Sequence, residues 1–126
     1  MENVGTEWLV DASGCDAARL SDLGVLRAFL EQVISQLDLR VIGEGAWHAF
    51  PAAPGSTDIS GGVTGLYLLT ESHVACHTYP ERRAATFNVY CCRPRPEFPW
   101  ERELARVIGA SHVTIRCLDR GIAEYP

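Results

Sequence analysis

The sequence predicts an α+β fold, a two-layer α/β sandwich in which a mostly antiparallel sheet is covered by two helices. Three observations predict it. Several stretches alternate apolar and polar residues at the period of a strand, two others repeat apolar residues at the period of a helix, and the order is strand, helix, a run of strands, helix, strand. The chain has 126 residues, 47% of them hydrophobic and 21% charged, enough for one core and one domain spanning 1–126.

Each element follows from its own signals. Thr6 to Ala12 reads as a first strand, ended by Ser13-Gly14-Cys15-Asp16. From Leu20 to Leu37, Leu23, Leu26, Leu30, Val33 and Leu37 recur at spacings of three and four, with Phe29 and Ile34 widening the stripe. Ser21 is the expected N-cap, and Asp22 suits the positive end of the helix dipole. Arg40 to Phe50 reads as a second strand, with Gly43 and Gly45 marking a bulge. Pro51 to Gly62 has the composition of a loop. Leu66 to Thr70 forms a third strand, and His73 to Tyr79 and Ala85 to Cys92 form two more. The following RPRPEFP segment cannot be a central strand, because its prolines lack ladder donors. Pro99 starts a second helix at its first position and Gly109 ends it, with Leu104, Val107 and Ile108 toward the sheet. His112 to Leu118 alternates into a last strand.

Bulk properties narrow the function. A net charge of -5 argues against a nucleic-acid or anionic-membrane partner. No apolar run approaches the roughly 20 residues that span a bilayer, and no secretory leader is evident, so a cytoplasmic protein is expected. Five cysteines, Cys15, Cys76, Cys91, Cys92 and Cys117, form neither a disulfide framework nor a zinc pattern and read as reduced thiols.

Strand parity sorts the polar groups of residues 61–92. His73, Ala75, His77 and Tyr79 share one face; Val74, Cys76 and Thr78 take the other. Ala85, Phe87, Val89 and Cys91 form an apolar face, which leaves Cys92 on the polar side. If the two segments pair through Pro80 to Ala84, Ser72, His77 and Cys92 are expected to converge at one end of the sheet as nucleophile, base and acid. A metal held by His73, His77 and Cys92 lacks any tight ligand spacing, and none is expected.

The run Glu71-Ser72-His73, then His77-Thr78-Tyr79-Pro80-Glu81, then Ala84-Ala85 and Cys92 resembles the signature of the short prokaryotic S-adenosylmethionine decarboxylases, which are pyruvoyl enzymes. Cys15-Asp16, Trp47 to Phe50 and Val63-Thr64-Gly65 add weaker similarity. The resemblance implies self-cleavage between Glu71 and Ser72 into a β chain 1–71 and an α chain 72–126. Ser72 would become a covalent pyruvoyl group, which forms a Schiff base with the substrate amine and takes up electrons as carbon dioxide leaves. It implies His77 as processing base, Thr64 as an assisting hydroxyl, and Cys92 as the proton donor of turnover. Glu81 would bind ribose hydroxyls, Phe50 and Tyr79 would bracket adenine, and His73 would shape the corner. A homodimer with sites built from both protomers is implied too.

The departures bear on substrate. Tyr79 stands for the usual Trp, Asn88 for Asp and Arg93 for Gly, and Pro51 to Gly62 is longer than the usual loop. The leading expectation is an S-adenosylmethionine decarboxylase of polyamine (spermidine) biosynthesis. One alternative is a pyruvoyl-dependent arginine or ornithine decarboxylase on the same scaffold; another is an unprocessed homologue acting as a binding or regulatory partner.

Overall fold

The computed structural model describes residues 2–52, 54–55 and 61–124. The elements run β1 (Glu2–Ser13), α1 (Ala17–Leu20), α2 (Leu23–Gln36), β2 (Ala46–Ala49), β3 (Val63–Leu69), β4 (Ser72–Tyr79), β5 (Ala84–Cys91), α3 (Trp100–Ile108) and β6 (His112–Ile122). The strands form one antiparallel sheet in the order β2-β3-β4-β5-β1-β6. The expected α+β sandwich is therefore present, with α1 as an additional single turn.

One face of the sheet carries the helices. Val10, Ala12, Val63, Leu69, Val74, Cys76, Phe87 and Val89 are buried there against Leu26, Phe29, Leu30 and Val33 of α2 and Leu104 and Ile108 of α3. Phe29 is the hub: its ring meets Phe87, Phe98 and Trp100 edge-on at centroid distances of 5.4, 5.9 and 6.2 Å. Burying each such side chain is worth about 1.5–3 kcal/mol, which makes this layer the main source of stability.

The opposite face carries no helical layer among the described residues. Leu66, Leu68 and Leu118 lie 44%, 57% and 49% exposed on it. Leu66 and Leu68 project from β3 near one edge of the sheet and Leu118 from β6 at the other, so the open face carries exposed apolar side chains toward both of its margins.

Several boundaries differ from expectation, and three of them have a local reason. The cap of α2 is Asp22, whose carboxylate accepts from the Val25 N–H at 3.2 Å, while Ser21 closes α1. A carboxylate does this as well as a hydroxyl and adds charge at the positive helix end. The second strand shrinks to Ala46–Ala49, because Gly43 adopts φ +67 and leaves Val41 with only an isolated bridge to Leu69. Pro99 flanks α3 rather than opening it, and Gly109, at φ +68, ends it in the left-handed region as expected. Of the Pro51 to Gly62 loop, residues 53 and 56–60 fall outside the described residues.

Candidate active site

β3 and β4 are joined by a two-residue loop, Thr70-Glu71, so that Leu69 pairs with Ser72. Parity then turns Ser72 toward the helices, beside Cys91 across the β4/β5 ladder. Its side chain is buried, and its Oγ has no hydrogen-bond partner among the described residues. An orphaned buried hydroxyl is costly, and a catalytic role is one reason a protein retains one.

The residue before it is held from two directions. The Glu71 carbonyl accepts the Cys92 N–H at 3.2 Å. Its carboxylate takes a two-point ion pair from Arg93, Nε to Oε2 at 2.6 Å and Nη2 to Oε1 at 2.7 Å. Cys92 lies just past the end of β5 and is exposed. The phenol of Tyr90 is pushed above its ordinary pKa by withdrawal from water first, then by hydrogen bonding with and charge from Cys92, and its hydroxyl donates to the Val4 carbonyl at 3.3 Å. Gly5 makes room for this ring: a methyl group there would stand 2.5 Å from the Tyr90 oxygen. The neighbouring thiols differ. Burial raises Cys91 and pushes Cys76 up to about 12, so both stay protonated in the core.

The second group of expected residues lies elsewhere. Thr64 pairs with His77 across β3 and β4, and Thr64 Oγ1 stands 3.0 Å from His77 Nδ1 on the open face. His77 is five residues beyond Ser72 with opposite parity, about 16 Å along the strand at 3.3 Å per residue. Ser72, His77 and Cys92 therefore do not converge within one chain, and that expectation is corrected. Ser72 and Cys92 occupy one end of the sheet; Thr64 and His77 occupy the other.

Phe50 and Tyr79 lie at the His77 end. Phe50 N–H donates to the Gly62 carbonyl at 2.9 Å, just beyond the β2/β3 ladder, and Tyr79 ends β4. Both rings are exposed, and Phe50 rests edge-on against His48 at 4.5 Å. Glu81 is exposed in a single 3₁₀ turn, Pro80–Arg82, next to Tyr79.

Between the two ends runs a polar chain that sequence reasoning did not assemble. Arg120 Nη1 donates to Glu7 Oε2 at 2.9 Å, and Asn88 Nδ2 donates to Glu7 Oε1 at 3.0 Å. Asn88 Oδ1, 2.8 Å from His73 Nε2, then accepts that ring's proton. His73 stacks on Tyr90 at 5.8 Å. The Asn88 hydrogen bond and then Arg120 hold the Glu7 carboxyl below its ordinary value, against the opposing effect of burial. Parity could flag His73, Asn88 and Tyr90 as one face, but only the pairing of β1 with both β5 and β6 brings in Glu7 and Arg120.

Sequence comparison assigns this antiparallel sandwich, with its Glu71-Ser72 corner, to a known family. The S-adenosylmethionine decarboxylase family model matches residues 6–121, and the chain belongs to that family. The chain is 29% identical to the S-adenosylmethionine decarboxylase proenzyme of Clostridium tetani, covering 100% of this chain and 94% of that one. It is 30% identical to the proenzyme of Acetivibrio thermocellus, covering 100% and 95%. The crystal structure of the adenosylmethionine decarboxylase from Aquifex aeolicus shares the fold, with a TM-score of 0.72 at 24% identity over 100% of this chain and 98% of that chain.

Proposed function

We propose that this chain is a self-processing S-adenosylmethionine decarboxylase that cuts itself between Glu71 and Ser72 and acts in polyamine biosynthesis in the cytoplasm. The observation that carries the reading is the Ser72 Oγ, buried and unpartnered among the described residues, next to a Glu71 carbonyl already held by the Cys92 N–H. The residues fit a pyruvoyl group at position 72, which when formed supplies the electron sink for decarboxylation.

The chain's own residues do the rest. Ser72 Oγ supplies the nucleophile for cleavage. Thr64 and His77 form the proton-handling pair, the hydroxyl fixing which imidazole nitrogen is free to act. Cys92, exposed where its two neighbours in the core are not, delivers the proton to the substrate carbon. Phe50 and Tyr79 offer faces for a purine, and Glu81 a carboxylate for ribose hydroxyls.

Because one chain separates these two groups, each site takes Ser72 and Cys92 from one protomer and Thr64 and His77 from the other. A two-fold axis lying between two open faces and across the strands reverses strand direction, carrying one protomer's His77 end over its partner's Ser72 end. The same stacking covers Leu66, Leu68 and Leu118.

Intact-mass spectrometry of the denatured protein tests the reading. Two chains, 1–71 and 72–126, the latter with a pyruvoyl end, are expected, together with release of carbon dioxide from S-adenosylmethionine. A chain that stays whole contradicts it and points to a non-catalytic partner. Cleavage with turnover of arginine or ornithine alone contradicts the substrate.

A further inference from the structure

Arg93 stands where the resembling signature carries glycine, and the proposed decarboxylase chemistry gives it no role. It is nevertheless committed to the cleavage corner. Its guanidinium makes both contacts of a planar fork with Glu71, at 2.6 and 2.7 Å, while the next backbone N–H upstream, that of Cys92, holds the Glu71 carbonyl at 3.2 Å. Side chain and carbonyl of one residue are thus fixed by two consecutive residues of the neighbouring strand end. Bidentate pairing restricts orientation as well as position.

The surroundings have a matching charge pattern. Glu71 and Arg93 open onto a cleft lined by Asp38, Arg40, Thr70 and Arg95. Arg95 Nη1 donates to the Asp38 carbonyl at 3.2 Å, while its Nε is buried without a partner among the described residues. Three guanidinium groups therefore face two carboxylates, and one buried donor is unused.

Resting on the self-cleavage reading, we infer that Arg93 is a positioning residue for that reaction. It holds Glu71 so that the Ser72 Oγ meets the Glu71 carbonyl carbon, and the arginine cleft then receives the carboxylate that cleavage creates. In the first step the Oγ–C bond forms and the Glu71–Ser72 C–N bond breaks; the hydroxyl proton ends on the Ser72 nitrogen, so the product is an ester isomer of the starting chain. While the carbonyl carbon is tetrahedral, its oxygen carries the developing charge, and the Cys92 N–H is aimed at that oxygen. In the second step a base takes the Ser72 α-proton, the Cα–Cβ double bond forms, and the Ser72 Cβ–Oγ bond breaks, so that Oγ leaves as part of the Glu71 α-carboxylate. Water then replaces the enamine nitrogen, which leaves as ammonia. The released α-carboxylate is the third negative charge of the cleft.

The test follows cleavage of freshly synthesised chain with time, by intact mass, at low and raised salt. Wild type is compared with Arg93→Gln, Arg93→Lys, Glu71→Gln and the charge-swapped Glu71→Arg/Arg93→Glu double variant. Arg93→Gln and Glu71→Gln should each slow cleavage about tenfold, the scale of a small misplacement of reacting groups. Arg93→Lys should fall between, and the double variant should recover much of the rate. Added salt should slow the wild type and leave Arg93→Gln unaffected, because this ion pair is accessible to solvent. A purely structural role would give neither the charge-swap recovery nor the salt difference. Arg93→Gln cleaving at the wild-type rate overturns the clamp alone. A wild-type chain that never cleaves overturns the self-cleavage reading and the clamp with it, and so is distinguishable.

Discussion

The two ends of β4 are built for different tasks. At the Ser72 end the side chain faces the core, its hydroxyl is unpartnered among the described residues, and Glu71 is tied to the neighbouring strand end, its carbonyl by Cys92 and its carboxylate by Arg93. At the far end His77 faces outward, exposed and matched to Thr64 on a face with no helical cover among the described residues. One end holds the bond proposed to break; the other holds the proposed proton-handling groups, about 16 Å away along the strand. The proposed site is thereby split into two halves on one sheet, set apart by strand parity and by the five-residue distance along β4.

Variants at the two ends should separate cleanly. The largest effect is expected from Cys92→Ala: chain cleavage persists, since the backbone N–H is kept, while decarboxylation falls by roughly 10²–10⁴, the usual weight of a general acid. Normal turnover by this variant, measured as released carbon dioxide, would remove Cys92 from the chemistry.

Next comes the surface on which the halves are to meet. Leu68→Arg places a charge in the open face without touching the core, and should shift sedimentation toward monomer and lower cleavage and turnover together. A dimeric, active Leu68→Arg protein would place the interface elsewhere.

The smallest effect concerns the chain from Arg120 to His73. The folded Glu7 carboxyl titrates below its ordinary value of 4.5, so its contribution to stability is present above that pH and lost as pH falls through the folded value. Glu7→Gln should flatten this acid limb in a series of Tm measurements below pH 5. An unchanged limb would show that Glu7 gains nothing from Asn88 and Arg120.

Much of this layout is legible in the sequence. The alternation from His73 to Tyr79 and from Ala85 to Cys91 assigned each side chain to its observed face, and the stripe from Leu23 to Ile34 found the covering helix. The same parity places Ser72 with Val74, opposite His77, so the expected convergence of the two failed on a rule already in use. Other features were not readable locally. β6 runs to Ile122 because β1 offers partners as far back as Glu2, and its polar, exposed edge hides that length from periodicity. Arg93 looked like part of a proline-rich connection. Only the fold brings it against Glu71, twenty-two residues away in sequence.

The central claim, that each site joins the two ends of β4 from different protomers, is tested most directly by co-expressing Ser72→Ala with His77→Ala. Each variant alone should be dead. Random mixing should restore roughly one quarter of wild-type sites, because half the dimers are mixed and each of those carries one intact Ser72–His77 combination. Recovery of cleavage and decarboxylation near that level is the expected result. Mixed dimers verified by mass but inactive would show that both groups must come from one chain, and would contradict the account.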